Sequence, residues 1–251
     1  MNRVFCFLAA VVFSLTCSAQ VVVNIESQRM PSDTTGWKGG MGTSFSFTRN
    51  IQQILNINAN AHLQYKREKD LYLLVANYNL LKTFNQKLSN NMFYHLRYNR
   101  KVNEWLRWEA FNQWQQDVLA NINLRVLAGT GPRFKVHDKP RLKLYAATLA
   151  MFEHEKEKTK PPVVHNDIRS SSYLSLTWKP TEQIQVVSTA FYQPLFRQLS
   201  DFRFLHQLNL NVKATKHFSI TTAWNYLYDA APAAGAPNIN LSISNGFAYN
   251  F

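Results

Sequence analysis

The sequence predicts an all-β fold, a transmembrane antiparallel up-and-down β-barrel of about twelve strands. Three observations carry the prediction. The final stretch, residues 238–251, alternates by twos: Ile239, Leu241, Ile243, Phe247, Tyr249 and Phe251 share one face, interrupted only by Asn245. The other face holds Asn240, Ser242, Ser244, Gly246, Ala248 and Asn250. The chain opens with Asn2 and Arg3, an apolar run over residues 4–15, and the small residues Cys17, Ser18 and Ala19 before Gln20. That is the layout of a secretory signal peptide. Between these ends, alternating segments recur from Trp37 onward, separated by polar turns. No helical period is visible, and after the leader no apolar run approaches the roughly 18 residues of a spanning helix.

Residues 1–19 are read as the signal peptide. A lipoprotein reading would begin the mature chain at Cys17, but Ser14 stands where leucine is expected. Both cysteines, Cys6 and Cys17, lie in this leader. The mature chain then offers no disulfide, thiolate nucleophile or cysteine-based metal site. Residues 20–36 are polar and turn-rich after a short valine run, and are expected to form a mobile periplasmic segment. The barrel domain follows over residues 37–251.

Within it, strands are expected over 37–48, 53–66, 70–81, 91–99, 104–114, 121–135, 141–155, 168–179, 183–193, 202–213, 218–228 and 238–251. The clearest is residues 55–65. Leu55, Ile57, Ala59, Ala61, Leu63 and Tyr65 fall on one face, and Asn56, Asn58, Asn60, His62 and Gln64 on the other. Asparagine is a poor strand former, so a row of three suggests a wetted face. Ile57, Leu63, Leu124, Val126, Leu174, Leu176, Phe247 and Tyr249 are expected to face lipid. An even strand count places both ends in the periplasm, and the outer connections then read as longer than the inner turns. Trp37, Trp108, Trp114, Trp178, Trp224, Tyr226 and Tyr228 sit near strand ends, as interfacial girdles require.

The chain carries +13 at pH 7, of which Arg3 belongs to the leader. A basic balance attracts anionic partners. Export excludes nucleic acid and leaves lipopolysaccharide phosphates outside or a positive lumen inside. On the polar phase lie Arg107, Glu109, Arg125, Arg133, Lys135, Arg141, Lys143, Glu153, Glu155, Arg169, Arg203 and Lys213. An Arg or Lys on the lipid face near the midplane would cost roughly 2–4 kcal/mol, so these groups should point inward. They form either a structural salt-bridge lattice or a filter set by charge.

The motif NLRVLAGTGPRF (residues 123–134) resembles a hallmark strand of the YdiY-like family of salt-induced outer-membrane proteins, domain of unknown function 481. EAFNQWQ (109–115), MFEHEKE (151–157), IRSSSYLSL (168–176), YQP (192–194), DFR (201–203) and the aromatic last strand resemble it in the same order. The resemblance covers about residues 106–251. It implies an outer-membrane barrel, with salt stress as its physiological setting, and assigns no chemistry.

No enzyme is expected. His217 and Ser219 have the spacing of an outer-membrane phospholipase pair, but Ser219 falls on the luminal phase and a lipase needs the lipid face. In Glu153-His154-Glu155 the histidine points away from both carboxylates. His165 and Asp167 could contribute to a cluster on the outer loops. No histidine pair has zinc spacing, and no glycine loop cradles phosphate, so neither metal nor cofactor is expected. Two functions remain: a small anion-preferring channel or solute-binding barrel, and a closed structural or adhesive barrel acting through its loops or lipopolysaccharide. Outer-membrane lipid, lipopolysaccharide and the barrel-assembly machinery are the expected partners, and the cell outer membrane of a Gram-negative envelope the expected location.

Phe247, Tyr249 and Phe251 form the expected insertion signal. Deleting Phe251 should lower the amount of folded protein in the membrane, measured on unboiled gels, because the last strand must be recognised and must also close the sheet.

Overall fold

The computed structural model describes residues 25, 35–49, 53–83, 86–118 and 120–249. The expected signal peptide and Phe251 lie outside the described residues. Twelve strands occupy the rest: β1 (Gly36–Arg49), β2 (Gln53–Arg67), β3 (Asp70–Thr83), β4 (Gln86–Lys101), β5 (Leu106–Asp117), β6 (Ile122–Lys139), β7 (Leu142–Glu157), β8 (Val164–Trp178), β9 (Ile184–Leu195), β10 (Gln198–Lys213), β11 (Phe218–Asp229) and β12 (Ile239–Tyr249). Each pairs with its sequence neighbour in one up-and-down sheet, ordered β1 to β12. β1 and β12 are the edges, and no ladder joins them among the described residues.

At one end, hereafter the short-turn end, the turns span residues 68–69, 102–105, 140–141, 179–183 and 214–217. Arg141, expected on β7, sits in the turn before that strand and is exposed. At the far end the connections include 118–121, 158–163, 196–197 and 230–238. Most of the expected loop-length contrast is absent there, because β8, β9 and β10 continue through stretches read as loops. His165, Asp167 and Asp201 are polar yet keep their place in the β strands, so polarity marked the luminal phase and not a turn.

Cross-strand partners share a face, so the register traces one phase around the sheet. Gln64 pairs with Leu73, Leu73 with Arg97, Arg97 with Phe111, Phe111 with Gly129, Gly129 with Met151 and Met151 with Arg169. This phase is inward. Glu109, Arg133 and Glu153 on it are 0%, 1% and 1% exposed, whereas the outward Ile168, Leu174 and Phe247 are 57%, 55% and 70% exposed. Charge inside and grease outside reverses the order of a soluble protein and is the order lipid demands of a barrel.

The outward face also carries the aromatic belts. Trp37, Tyr65, Tyr72 and Tyr98 are successive cross-strand partners near the short-turn end, with ring centroids 4.5, 6.2 and 5.0 Å apart. Near the far end, Tyr192, Phe202 and Tyr228 form a second row, each step 5.5 Å. From Trp37 to Phe47 on β1 the chain rises about 33 Å along the strand, which a tilt of about 40° reduces to an apolar band of ~25 Å.

Two inward glycines let the sheet bend. A Cβ on Gly131 would lie 2.3 Å from the Thr148 carbonyl oxygen and 2.7 Å from Leu149 Cα, and one on Gly129 would lie 2.5 Å from the Phe111 ring. Glycine inside a strand marks such close approaches. Gly131→Val should therefore abolish the heat-modifiable folded band on unboiled gels. Gly246→Ala, at an inward position with nothing within 4 Å, should leave that band unchanged.

Candidate functional site in the lumen

Alternation in β6, β7, β8 and β10 delivers the central cluster. Glu153 on β7 is the hub. It receives Arg125 Nε of β6 at 3.1 Å, Arg169 Nε of β8 at 2.6 Å, and Arg203 of β10. Glu155, two residues on and so on the same face, takes Arg125 Nη2 at 2.6 Å and Arg203 Nη2 at 3.2 Å. Arg203 also donates through Nε to Asp229 of β11 at 2.7 Å, and Arg169 through Nη1 to Asp201 at 2.9 Å. Because β7 and β10 are not neighbours in the sheet, the Arg203 side chain reaches past β8 and β9 to Glu153.

A second cluster lies beside it. Glu109 of β5 accepts Arg133 Nη1 of β6 at 3.4 Å and lies 3.6 Å from Arg97 Nη1 of β4. The Tyr173 hydroxyl of β8 donates to Glu109 at 2.9 Å, a second link between non-adjacent strands. Arg97 and Arg133 both approach the Tyr173 ring, and Arg133 lies 4.3 Å from the Tyr145 ring centre. Arg97 Nε also donates to His95 Nε2 at 3.2 Å. Arginine can only donate, so the His95 proton sits on Nδ1, facing Gln113 Oε1 at 3.0 Å.

The expected charge residues thus divide. Glu109, Arg125, Arg133, Glu153, Glu155, Arg169 and Arg203 come together in the lumen. Arg107 lies over the Tyr145 ring at 5.5 Å, and Lys135 and Lys143 share Asp138 at 3.2 and 3.8 Å, all toward the short-turn end. Arg141 and Lys213 are exposed at that end. Sequence reasoning missed Arg97, Tyr173, Asp201 and Asp229. Arg97 and Tyr173 sit on the inward parity of strands already predicted, so the same rule would have found them. Asp201 and Asp229 lie one residue outside the predicted strand limits.

The expected positive surplus does not extend to the buried belt. Arg97, Arg125, Arg133, Arg169 and Arg203 face Glu109, Asp117, Glu153, Glu155, Glu157, Asp167 and Asp229 there, so carboxylates outnumber guanidinium groups among the described buried residues. The carboxylates of Asp117, Glu157, Asp167 and Asp229 were hidden by strand limits drawn too short. His165 and Asp167 belong to β8 rather than an outer loop, and their partners are Glu157 at 2.9 Å and Arg197 at 2.7 Å.

Two further elements enter the lumen. Residues 230–238 fold across the far mouth. Asn121 Nδ2 donates to the Ala234 carbonyl at 2.9 Å, and the Ala234 amide donates to Glu157 at 3.3 Å. Gly235 and Asn121 take left-handed φ values of 79° and 55° where the two segments meet. From the chain's beginning, Ile25 is 5% exposed and packs on the inward Leu73, Val75 and Phe93. A cavity of about 110 Å³ remains between Ile25, the Glu109 cluster, Gln207 and Arg203.

Glu153→Ala should lower unfolding stability by about 1–3 kcal/mol, since three buried guanidinium groups each lose one carboxylate while keeping Glu155, Asp201 or Asp229. Denaturant unfolding in detergent reads this. Glu104→Ala is the control. Its exposed carboxyl, held below the usual carboxylate range by the hydrogen bond from Lys101, should leave the midpoint unchanged.

The fold is similar to solved outer-membrane barrels. The NanC porin superposes with a TM-score of 0.50 at 9% identity, covering 86% of this chain and 99% of its own. The translocator domain of the autotransporter NalP from Neisseria meningitidis gives 0.42 at 8% identity, with 90% and 92% covered. The KdgM porin, solved in complex with disordered oligogalacturonate, gives 0.41 at 8% identity, with 84% and 99% covered. Comparison with curated proteins returned no match. A family model described as protein of unknown function, DUF481, matches residues 46–251, which is most of the barrel. This chain, an antiparallel barrel of the porin-like outer-membrane type, belongs to the DUF481 family.

Proposed function

We propose that the protein is an outer-membrane channel for small polar solutes, narrowed by its own charged side chains. The observation that carries this reading is the belt of buried charged side chains contributed from β4 to β11 inside an apolar exterior. Lipid and lipopolysaccharide surround the outward face. The outward Phe247 of β12, stacked on Phe218 of β11, and Tyr249, beside His217 of the turn before β11, present the strand that the barrel-assembly machinery engages. The short-turn end faces the periplasm, as in barrels with short inner turns.

Any selectivity arises at the short-turn mouth. Arg107, Lys135, Lys143 and Lys213 line it against Asp138, whereas the central belt has no positive excess. Like charges at a constricted entrance repel cations and concentrate anions. The preference is therefore weak, and high salt screens it.

A specific observation favours a second reading, the closed structural barrel. Every guanidinium of the Glu153 cluster already has a carboxylate partner, and Arg203 ties β10 to both β7 and β11. Planar-bilayer recording separates the two. The channel reading expects a small conductance whose reversal potential under a salt gradient shifts toward cations in a Lys135→Glu, Lys143→Glu double variant. It expects a larger conductance when Arg203 becomes Ala. Silence in the parent protein and in both variants would establish the structural barrel instead.

A further inference from the structure

We propose that the strap of residues 230–238 is a releasable gate at the far mouth, latched through its tip by Asn121 and Glu157. The strap leaves the sheet between β11 and β12 and ends against the opposite wall. Ala234 at its tip meets Asn121, in the connection before β6, and Glu157, the last residue of β7. In a ring of twelve strands β6 stands six places from β12, so the tip spans the mouth. Beneath it, Ala233 is 8% exposed and encloses, with Ala120, Arg125 and Asp229, a space of about 30 Å³. That admits water and no larger solute. Arg125 and Leu227 line both this space and the larger lumen cavity, so the strap covers the way from the far mouth to the Glu153 cluster.

Its construction suits release from the tip. The base is pinned. The Asp229 amide donates to the Asn238 carbonyl at 2.8 Å, Asn238 Nδ2 donates to the Asp229 carbonyl at 2.9 Å, and the Ala231 amide donates to Asp229 Oδ1 at 3.1 Å. Asp229 Oδ2 takes Arg203, which ties the base to the belt. A turn from the Ala236 amide to the Ala233 carbonyl at 2.9 Å shapes the arm, and Pro232 and Pro237 stiffen it. The tip is held instead by two side chains of the facing wall. The bond from the Ala234 amide to Glu157 is long at 3.3 Å. Glu157 is positioned by His165 Nε2, 2.9 Å from its other carboxylate oxygen. The run Ala-Ala-Pro-Ala-Ala-Gly-Ala-Pro-Asn carries no charged side chain, so seating it over the lumen strips no charge of water. A segment held by few contacts opens at low free energy while the strands around it stay folded.

Gating rests on the channel reading above, whereas the strap's position does not, so the full chain in membranes is tested in two ways. In the first, Ala120→Cys is paired with Ala233→Cys and bridged by a short bifunctional methanethiosulfonate. Mass spectrometry identifies the linked peptides and separates them from any involving Cys6 or Cys17. The bridge should form, and Ala120→Cys with Ala214→Cys, in a turn at the short-turn end, should give none. No bridge at Ala233, or an equal yield at Ala214, overturns the strap's position and the gate with it. In the second, conductance is recorded in planar bilayers. The bridged protein should conduct several-fold less than the same protein after reduction. Asn121→Gly, which keeps the left-handed backbone and removes the latch, should conduct several-fold more than the parent, with its heat-modifiable band showing that it has folded. A bridge that forms while conductance stays the same before and after reduction, and in Asn121→Gly, overturns the gate and leaves the channel reading in place. Silence in the parent, the reduced double variant and Asn121→Gly overturns both.

Discussion

An apolar exterior forces the charges in the middle of this sheet inward, and the inward charges must then neutralise one another in a confined space. The Glu153 hub is the outcome. One carboxylate gathers arginines from three strands, and its neighbour Glu155 shares two of them. Opposite charges drawn from water offset their desolvation only when geometry and extra hydrogen bonds are good. Arg203 meets that condition by linking β7 to β11, and Arg169 by adding Asp201. Removing one member costs several others a partner, so the cluster behaves as a unit. Tyr173 extends the same logic to Glu109, where a neutral hydroxyl satisfies a carboxylate oxygen without adding charge.

Much of this is legible from alternation. The twelve strands, their order and the split between lipid and lumen follow from period-two spacing, because one slip in register would place every charge in lipid. Glu109, Arg125, Arg133, Glu153, Glu155, Arg169 and Arg203 emerge in the same way. What alternation does not supply is the ends of the strands. Luminal strand ends are polar on their inward side, so they look like loops until backbone pairing is known. That hid Asp117, Glu157, Asp167 and Asp229, four of the seven carboxylates buried in the belt. Arg141 erred in the opposite direction, placed in a strand when it turns. Ile25 was beyond reach for a different reason. A single isoleucine among polar residues has no periodicity, and only the facing patch gives it meaning.

Porin-like architecture by itself says little about traffic. The chain shares its fold with the NanC porin at 9% identity, too little to carry any side chain across. The particular contents of this lumen decide function. They are an ion-pair belt in the middle and a loop over one mouth.

That loop has a kinetic consequence. Its bonds join Ala234 to Asn121 and Glu157, residues 113 and 77 positions earlier in the chain. Such contacts cannot stabilise the chain until the intervening strands are paired and curved, since loop-closure entropy must first be overcome. The β11–β12 hairpin therefore finds its resting place last. Its docking acts as a built-in completion signal, with the last-made part of the sheet held against strands from the middle of the chain only once everything between them has folded.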